Sequence, residues 1–431
     1  MLEYGDVRLG RRKADIGILA DAEKTLLRRL AVRVKELSAD VKYEEKRRLW
    51  KKHNSLHGER PMVLAFPEDG WREILPMDSM TVADPFWREY EWYLKYLVYR
   101  GEKLHDDNVL DPVVEIPMIY SLTGWGLDSV WTTTGQYLGA NHLETVLKDT
   151  EDERLLKPLD MVIDEASTQK IADAVGDAFG DILLPKINRS VDRFDRIINK
   201  SLIEELILMR GIEQVYLDMY DRPEWVHGVL KFMLDSEMKL MDRLESTYRM
   251  ELNNGNHHVG SGGLGYTDEL PKRDLGGKPV GYQDLWGFSD AQELTCVSAG
   301  MFDEFAIEYQ VPLLSRYGLS CYACCESLND KFELVKKIPN LRRVSVSPWT
   351  DVKTAAKALE DKYVFSWKPH PALLTSREFS PEALEESIKN TLDIARGCNI
   401  EMVFKDTQTF QNKPERMEQA VDIAMDLACG G

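Results

Sequence analysis

A chain of 431 residues, 43% hydrophobic and 30% charged, is long and apolar enough for a large folded core, and its even mixture excludes disordered and fibrous classes. Its formal charge of -18 opposes approach to the polyanion of nucleic acid, and no apolar run reaches the roughly 20 residues that a membrane span needs. The first residues, Met1 to Gly17, carry no apolar signal core, so a cytoplasmic location is expected.

In chain order, residues 13 to 58 read as helix, because Leu19, Ala20, Leu26, Leu27, Leu30, Ala31 and Val34 recur at spacings of three and four between charges. We assign residues 1–59 to an N-terminal helical extension. The first strand-like run is Pro61 to Phe66, ending in Pro67-Glu-Asp-Gly70, and an aromatic helix follows from Trp87 to Tyr99. Further short apolar runs stand at Val113 to Tyr120, Ile182 to Leu184, Leu285 to Phe288, Leu319 to Tyr322, Val344 to Val346, Tyr363 to Trp367 and Glu401 to Phe404. Amphipathic helical stretches separate them, notably Asp221 to Glu245, Met301 to Tyr317, Asn329 to Lys337, Asp351 to Leu359, Pro381 to Gly397 and Pro414 to Ala428. Strands alternating with such helices imply a parallel sheet, and their number predicts an α/β fold, a (β/α)8 TIM barrel over residues 60–431. No G-x-G-x-x-G follows the first strand, so a dinucleotide fold is not expected.

A barrel places its chemistry at the C-terminal ends of its strands. Six cysteines are present, and three of them, Cys321, Cys324 and Cys325, fall within five residues around the end of one predicted strand, followed by Glu326. In a reducing compartment these are free thiols or metal ligands. Thiolates with a carboxylate suit zinc, so Cys325, Cys324 and Glu293 form the predicted metal set. Neighbours on a strand point to opposite faces, so one of Cys324 and Cys325 should face the mouth and the other pack behind it.

Other strand ends add candidates. Trp286-Gly-Phe-Ser-Asp290 leads to Glu293, which could supply an oxygen ligand or a general acid, while Asp290 reads equally as a cap of the next helix. Lys368 and His370 follow the run to Trp367, and Lys405-Asp406 follows the run to Phe404, where Asp406 either binds metal or holds a neighbouring lysine. Asn253 to Pro271 contains five glycines around His257 and His258 without a Walker lysine, and reads as a binding loop or mobile lid. His258, Tyr266, Trp286 and His370 are the candidate substrate contacts, with Glu293 and Asp406 as the catalytic carboxylates.

Several segments resemble the uroporphyrinogen decarboxylase superfamily. They are Gln214 to Trp225, Phe305 to Leu314, Leu328-Asn-Asp-Lys-Phe332, Pro339-Asn-Leu341, Val344-Ser-Val-Ser-Pro348, Lys405-Asp-Thr-Gln-Thr409 and Pro414-Glu-Arg-Met417. The resemblance spans roughly residues 60 to 428, is stronger in the C-terminal half, and independently implies a barrel. Decarboxylases of the superfamily carry an arginine-rich segment after the first strand, where this chain has Ala65-Phe-Pro-Glu-Asp-Gly-Trp-Arg72, so that activity is not implied. Its zinc methyltransferases carry His-x-Cys at the strand end occupied here by Ala323-Cys324-Cys325. Cys325 matches the cysteine, Ala323 replaces the histidine, and Asp406 lies near the position of the last cysteine, so further ligands are sought among Glu293, Cys324, Asp406 and His258.

With its Gly260-to-Pro271 loop and Cys-Cys-Glu strand end, the chain resembles most the first methyltransferases of O-demethylase systems in anaerobic one-carbon metabolism. That likeness implies transfer of a methyl group from a methoxylated aromatic to the Co(I) of a cobalamin carried by a separate corrinoid protein, with zinc as Lewis acid. Two alternatives stand beside it: a zinc methyltransferase passing methyl from a methyl-corrinoid to a thiol, and a non-catalytic corrinoid- or tetrapyrrole-binding barrel. Oligomeric state stays open, a homodimer included.

Overall fold

The computed structural model describes residues 15–127, 130–133, 141–189, 200–323 and 325–430. Two helices come first, α1 (Asp21–Ser38) and α2 (Lys42–Asn54). The buried positions of α1, Leu27, Ala31 and Val34, are spaced by four and three and form one stripe. Beneath the main sheet, α2 buries Trp50, His53 and Asn54, so the N-terminal helices share one core with the rest of the chain. The aromatic helix runs Pro85–Glu102, opened by Asp84, whose carboxylate accepts from the amides of Phe86 (3.0 Å) and Trp87 (3.2 Å), with proline at its first position.

The described residues form twelve strands in chain order: β1 (Met62–Ala65), β2 (Val113–Pro117), β3 (Tyr120–Leu122), β4 (Val130–Thr133), β5 (Asn141–Glu144), β6 (Met161–Ile163), β7 (Leu184–Asn188), β8 (Trp286–Ser289), β9 (Leu319–Tyr322), β10 (Leu341–Val346), β11 (Val364–Trp367) and β12 (Asn399–Phe404). Six of them make one parallel sheet in the order β1-β12-β11-β10-β9-β8, and β2 pairs with β7, also in parallel. The fold is therefore α/β, with eight parallel strands in two described sheets, and the antiparallel pairs β3–β6 and β4–β5 are insertions between β2 and β7. Among the described residues no ladder joins β1 to β2 or β7 to β8.

All four residues of β1, β8, β9 and β11 are buried, as are all six of β12. A parallel strand covered on both faces reads as a continuous apolar run, which is why these strands were visible in the sequence. Their registers align the C-terminal ends, with Ala65 beside Phe404, Val346 beside Trp367 and Ser289 beside Tyr322, so the loops after them open on one edge. Among the described residues no helix is long and apolar enough to cross a membrane.

The glycine-rich segment departs from the expected lid. Residues 259–267 are buried and pack against side chains of β8, β10 and β12, among them Phe288, Arg343 and Glu401. Asn253 anchors the entry, accepting from the amide of Trp286 (2.9 Å) and donating to its carbonyl (3.0 Å), while Asn54 of α2 donates to the carbonyls of Leu264 and Tyr266, both at 2.8 Å. Glycine is required here by space. A Cβ on Gly263 would lie 2.4 Å from the ring of Trp50, and one on Gly260, at φ +59, would lie 2.2 Å from the ring of Phe288. Gly260→Ala combines a left-handed backbone with an overpacked core, so a loss of about 2–4 kcal/mol is expected, read as a lowered urea midpoint. An unchanged midpoint would show that the segment is loosely held.

Candidate functional site

Three loops at the C-terminal edge turn through the left-handed region on residues other than glycine: Glu68 after β1 (φ 50), Ala323 after β9 (φ 74) and Asp406 after β12 (φ 57). Each such residue costs on the order of 1 kcal/mol and persists only where its surroundings hold it. The Ala323 amide donates to the carbonyl of Ser289 (3.1 Å), and its own carbonyl accepts from the hydroxyl of Ser261 (2.8 Å). The Asp406 amide donates to Glu68 Oε2 (3.0 Å), and buried Lys405 places Nζ 3.5 Å from Glu68 Oε1 and 3.3 Å from Asp406 Oδ1.

These corners aim two side chains at one another across the mouth. The Sγ of Cys325 lies 3.9 and 3.8 Å from the two carboxylate oxygens of Asp406. Cys325 is half-buried, so the pair stays within reach of solvent and of a ligand. The ammonium of Lys405 compensates the carboxylates of Asp406 and Glu68, which together form a compact charged patch between β1 and β12.

Zinc bonds of about 2.3 Å to sulfur and about 2.0–2.2 Å to oxygen, set at a tetrahedral angle, separate the two donors by about 3.5 Å. The thiol and carboxylate of Cys325 and Asp406 fit two positions of such an ion. Among the described residues no three of His, Cys, Asp and Glu group as a metal set. Cys324 lies outside the described residues.

The remaining predicted residues distribute unevenly. Glu293 sits on the turn Gln292–Cys296 after β8, its Oε1 accepting from Gln292 Nε2 (3.2 Å) and its carbonyl from the hydroxyl of Tyr216. Asp290 does not cap that turn. Its Oδ1 accepts from Ser201 Oγ (2.6 Å), and its amide donates to the same hydroxyl (3.0 Å), so it braces the preceding loop instead. Glu326 is buried, and its Oε1 accepts from the amide of Ala291 (3.1 Å), which pins the cysteine segment to the end of β8. His258 packs its ring on Phe66, the residue after β1, at 4.6 Å between centroids. His370 follows β11 and sets its ring edge-to-face with Trp349 at 5.1 Å, beside an indole that is 64% exposed.

Two of the expected substrate contacts lie away from this edge. Trp286 opens β8 and is fully buried at the opposite edge, donating Nε1–H to the carbonyl of Gly265 (2.9 Å) beneath the guanidinium of Arg343. Tyr266 lies on the same edge, where burial and the nearby Asp111 raise its phenol against the opposing pull of Arg47. Both belong to the packing of the glycine segment, because the strand-end rule applies to the last residue of β8 and not to its first. Sequence reasoning missed Glu68, Lys405 as a site residue, and Ser261. Only Lys405 carried a signal, in the pairing foreseen for Asp406.

No family profile matches the chain, and no curated protein matches it. Among solved structures the fold is similar to a methyltransferase from Methanosarcina mazei, with a TM-score of 0.49 and 8% identity, over 88% of this chain and 98% of that one.

Proposed function

We propose that the chain is a methyltransferase that moves the methyl group of an aryl methyl ether to the Co(I) of a corrinoid carried by a partner protein, on a (β/α)8 barrel formed by the eight parallel strands. The observation that carries this reading is the meeting of Cys325 and Asp406 at 3.8–3.9 Å on the C-terminal edge, held by three strained corners. The motif resemblance supplies the reaction class. Breaking the O–CH3 bond leaves a phenolate, a poor leaving group at neutral pH, while the electron pair that forms the new bond to carbon comes from the corrinoid. Zinc held by Cys325 and Asp406 would supply the Lewis acidity that an ether oxygen needs.

The protein's own groups have defined tasks. Asp406 sets a carboxylate beside Cys325 Sγ as a second anionic donor, Lys405 offsets its charge from 3.3 Å, and the thiol would lose its proton to solvent as the metal binds. His370, Trp349 and His258 line the surrounding strand ends and offer aromatic faces to a planar substrate.

The direct test supplies a guaiacol-type ether and Co(I) cobalamin under reducing conditions and follows the demethylated phenol by chromatography, with zinc measured in the same preparation. Phenol formation in step with loss of Co(I) is expected. Zinc-replete protein that yields no phenol with any methoxylated aromatic would sink the proposal.

A further inference from the structure

Ser261 reaches the mouth from the opposite side of the molecule. It rides at the turn of the buried glycine segment, which enters at the N-terminal edge through Asn253 and Asn54 and is gripped inside the sheet by Glu401, whose Oε1 accepts from the amide of Gly263 (2.8 Å). The Ser261 side chain is itself buried, and its hydroxyl lies 2.8 Å from the carbonyl of Ala323 and 3.4 Å from Ser345 Oγ. The contact to the Ala323 carbonyl is the shorter of the two and the better hydrogen bond for the single hydroxyl proton. Ala323 is the left-handed residue two positions before Cys325.

We infer that Ser261 is a positioning residue for Cys325: its hydrogen bond to the Ala323 carbonyl holds the strained corner that aims the thiol at Asp406, tying the mouth to α2 through the glycine segment. The inference rests on Cys325 being the functional thiol. A backbone corner at φ +74 relaxes unless its peptide groups are tied on both sides, and here the amide is tied to Ser289 and the carbonyl to Ser261. The glycine segment is short of side chains so that it can thread the interior, and Ser261 is the polar group it carries to the far edge. Groups that orient a ligand without touching the ion commonly change metal affinity by about 10–100-fold.

The test compares Ser261→Ala with Ser261→Ala/Ala323→Gly, because glycine adopts the corner without strain and removes the need for the tie. In the full chain, Ser261→Ala is expected to weaken zinc about tenfold in competition with a chelator. At fixed pH in chelator-treated protein, alkylation of Cys325, resolved from Cys324 by fragment mass spectrometry, should be several-fold faster, and the urea midpoint should fall only by the loss of one buried hydrogen bond. Adding Ala323→Gly should restore both readouts toward the parent. Unchanged alkylation in a folded Ser261→Ala overturns the assignment. Should Ser261→Ala fail to fold, rescue of folding by Ala323→Gly supports it and failure of that rescue overturns it. The alkylation arm uses neither ether nor corrinoid nor metal, so its outcome is independent of whether the methyl-transfer proposal survives.

Discussion

Cys325→Ser is expected to lose bound zinc and to lower methyl transfer by more than about a hundredfold while leaving the fold intact. A serine hydroxyl matches the thiol in shape but does not ionise near neutral pH, so it cannot act as the anionic soft donor that the position requires. Asp406, left alone, presents one carboxylate already balanced by Lys405 at 3.3 Å, which is a weak offer to a dication. Cys325 is half-buried on a loop and not in the core, so stability should change little. Metal analysis of parent and variant, with turnover and circular dichroism on the same samples, checks each part. Full zinc and full activity in Cys325→Ser would remove the centre on which the functional proposal stands, although the α/β fold would be untouched.

The second large effect concerns the interior. Glu401 of β12 is fully buried, with Oε1 3.1 Å from Arg343 Nε and 2.8 Å from the amide of Gly263, a short hydrogen bond from Ser366 Oγ, and Oε2 3.2 Å from His53 Nε2. Burial alone would raise its pKa, but Arg343, His53 and Lys368 outweigh burial and hold the carboxyl well below the usual range. Burial pushes His53 down despite the pull of Glu401, so the imidazole is neutral and donates through Nε2 while Nδ1 accepts from Asn399 (3.2 Å). Glu401→Gln leaves the buried Arg343 without its counter-charge, a change that costs about 3–5 kcal/mol. A large fall in the urea midpoint at unchanged slope is the expected result.

The same network fixes the direction of acid sensitivity. Both groups have folded-state values below their unfolded ones, so the unfolded chain binds the additional protons. His53 contributes stability that is complete above about pH 6.5 and is lost as pH falls below it, and Glu401 adds a further loss below about pH 4.3. Midpoints measured from pH 8 down to pH 3 should stay level above about pH 6.5 and decline below it, and Glu401→Gln should lack the part of that decline below about pH 4.3. A parent whose midpoint is flat over this range would contradict the assignment of a neutral, buried His53.

Much of the framework was legible because burial on both faces writes itself into composition. The runs ending at Phe66, Tyr322, Val346, Trp367 and Phe404 each became a parallel strand within three residues of the expected bounds, and their polar continuations located the edge that carries Cys325 and Asp406. The short antiparallel pairs β3–β6 and β4–β5 left no comparable trace, since strands of three or four residues are too short to show a periodic signal.

The amino-acid sequence by itself determined the α/β alternation, the strand ends and the clustering of thiols at one of them, all of which depend on local pattern and hydrophobicity. Only the tertiary structure decided that Asp406 faces Cys325, that Glu68 and Lys405 brace it, that Trp286 and Tyr266 belong to the opposite edge, and that the glycine segment fills the interior instead of covering the mouth. The Cys325–Asp406 and Glu68–Asp406 contacts join residues 81 and 338 positions apart in the chain. They are set by which backbone corners the packed surroundings hold in strain and by the space left between facing strands, neither of which is written in any local run of residues.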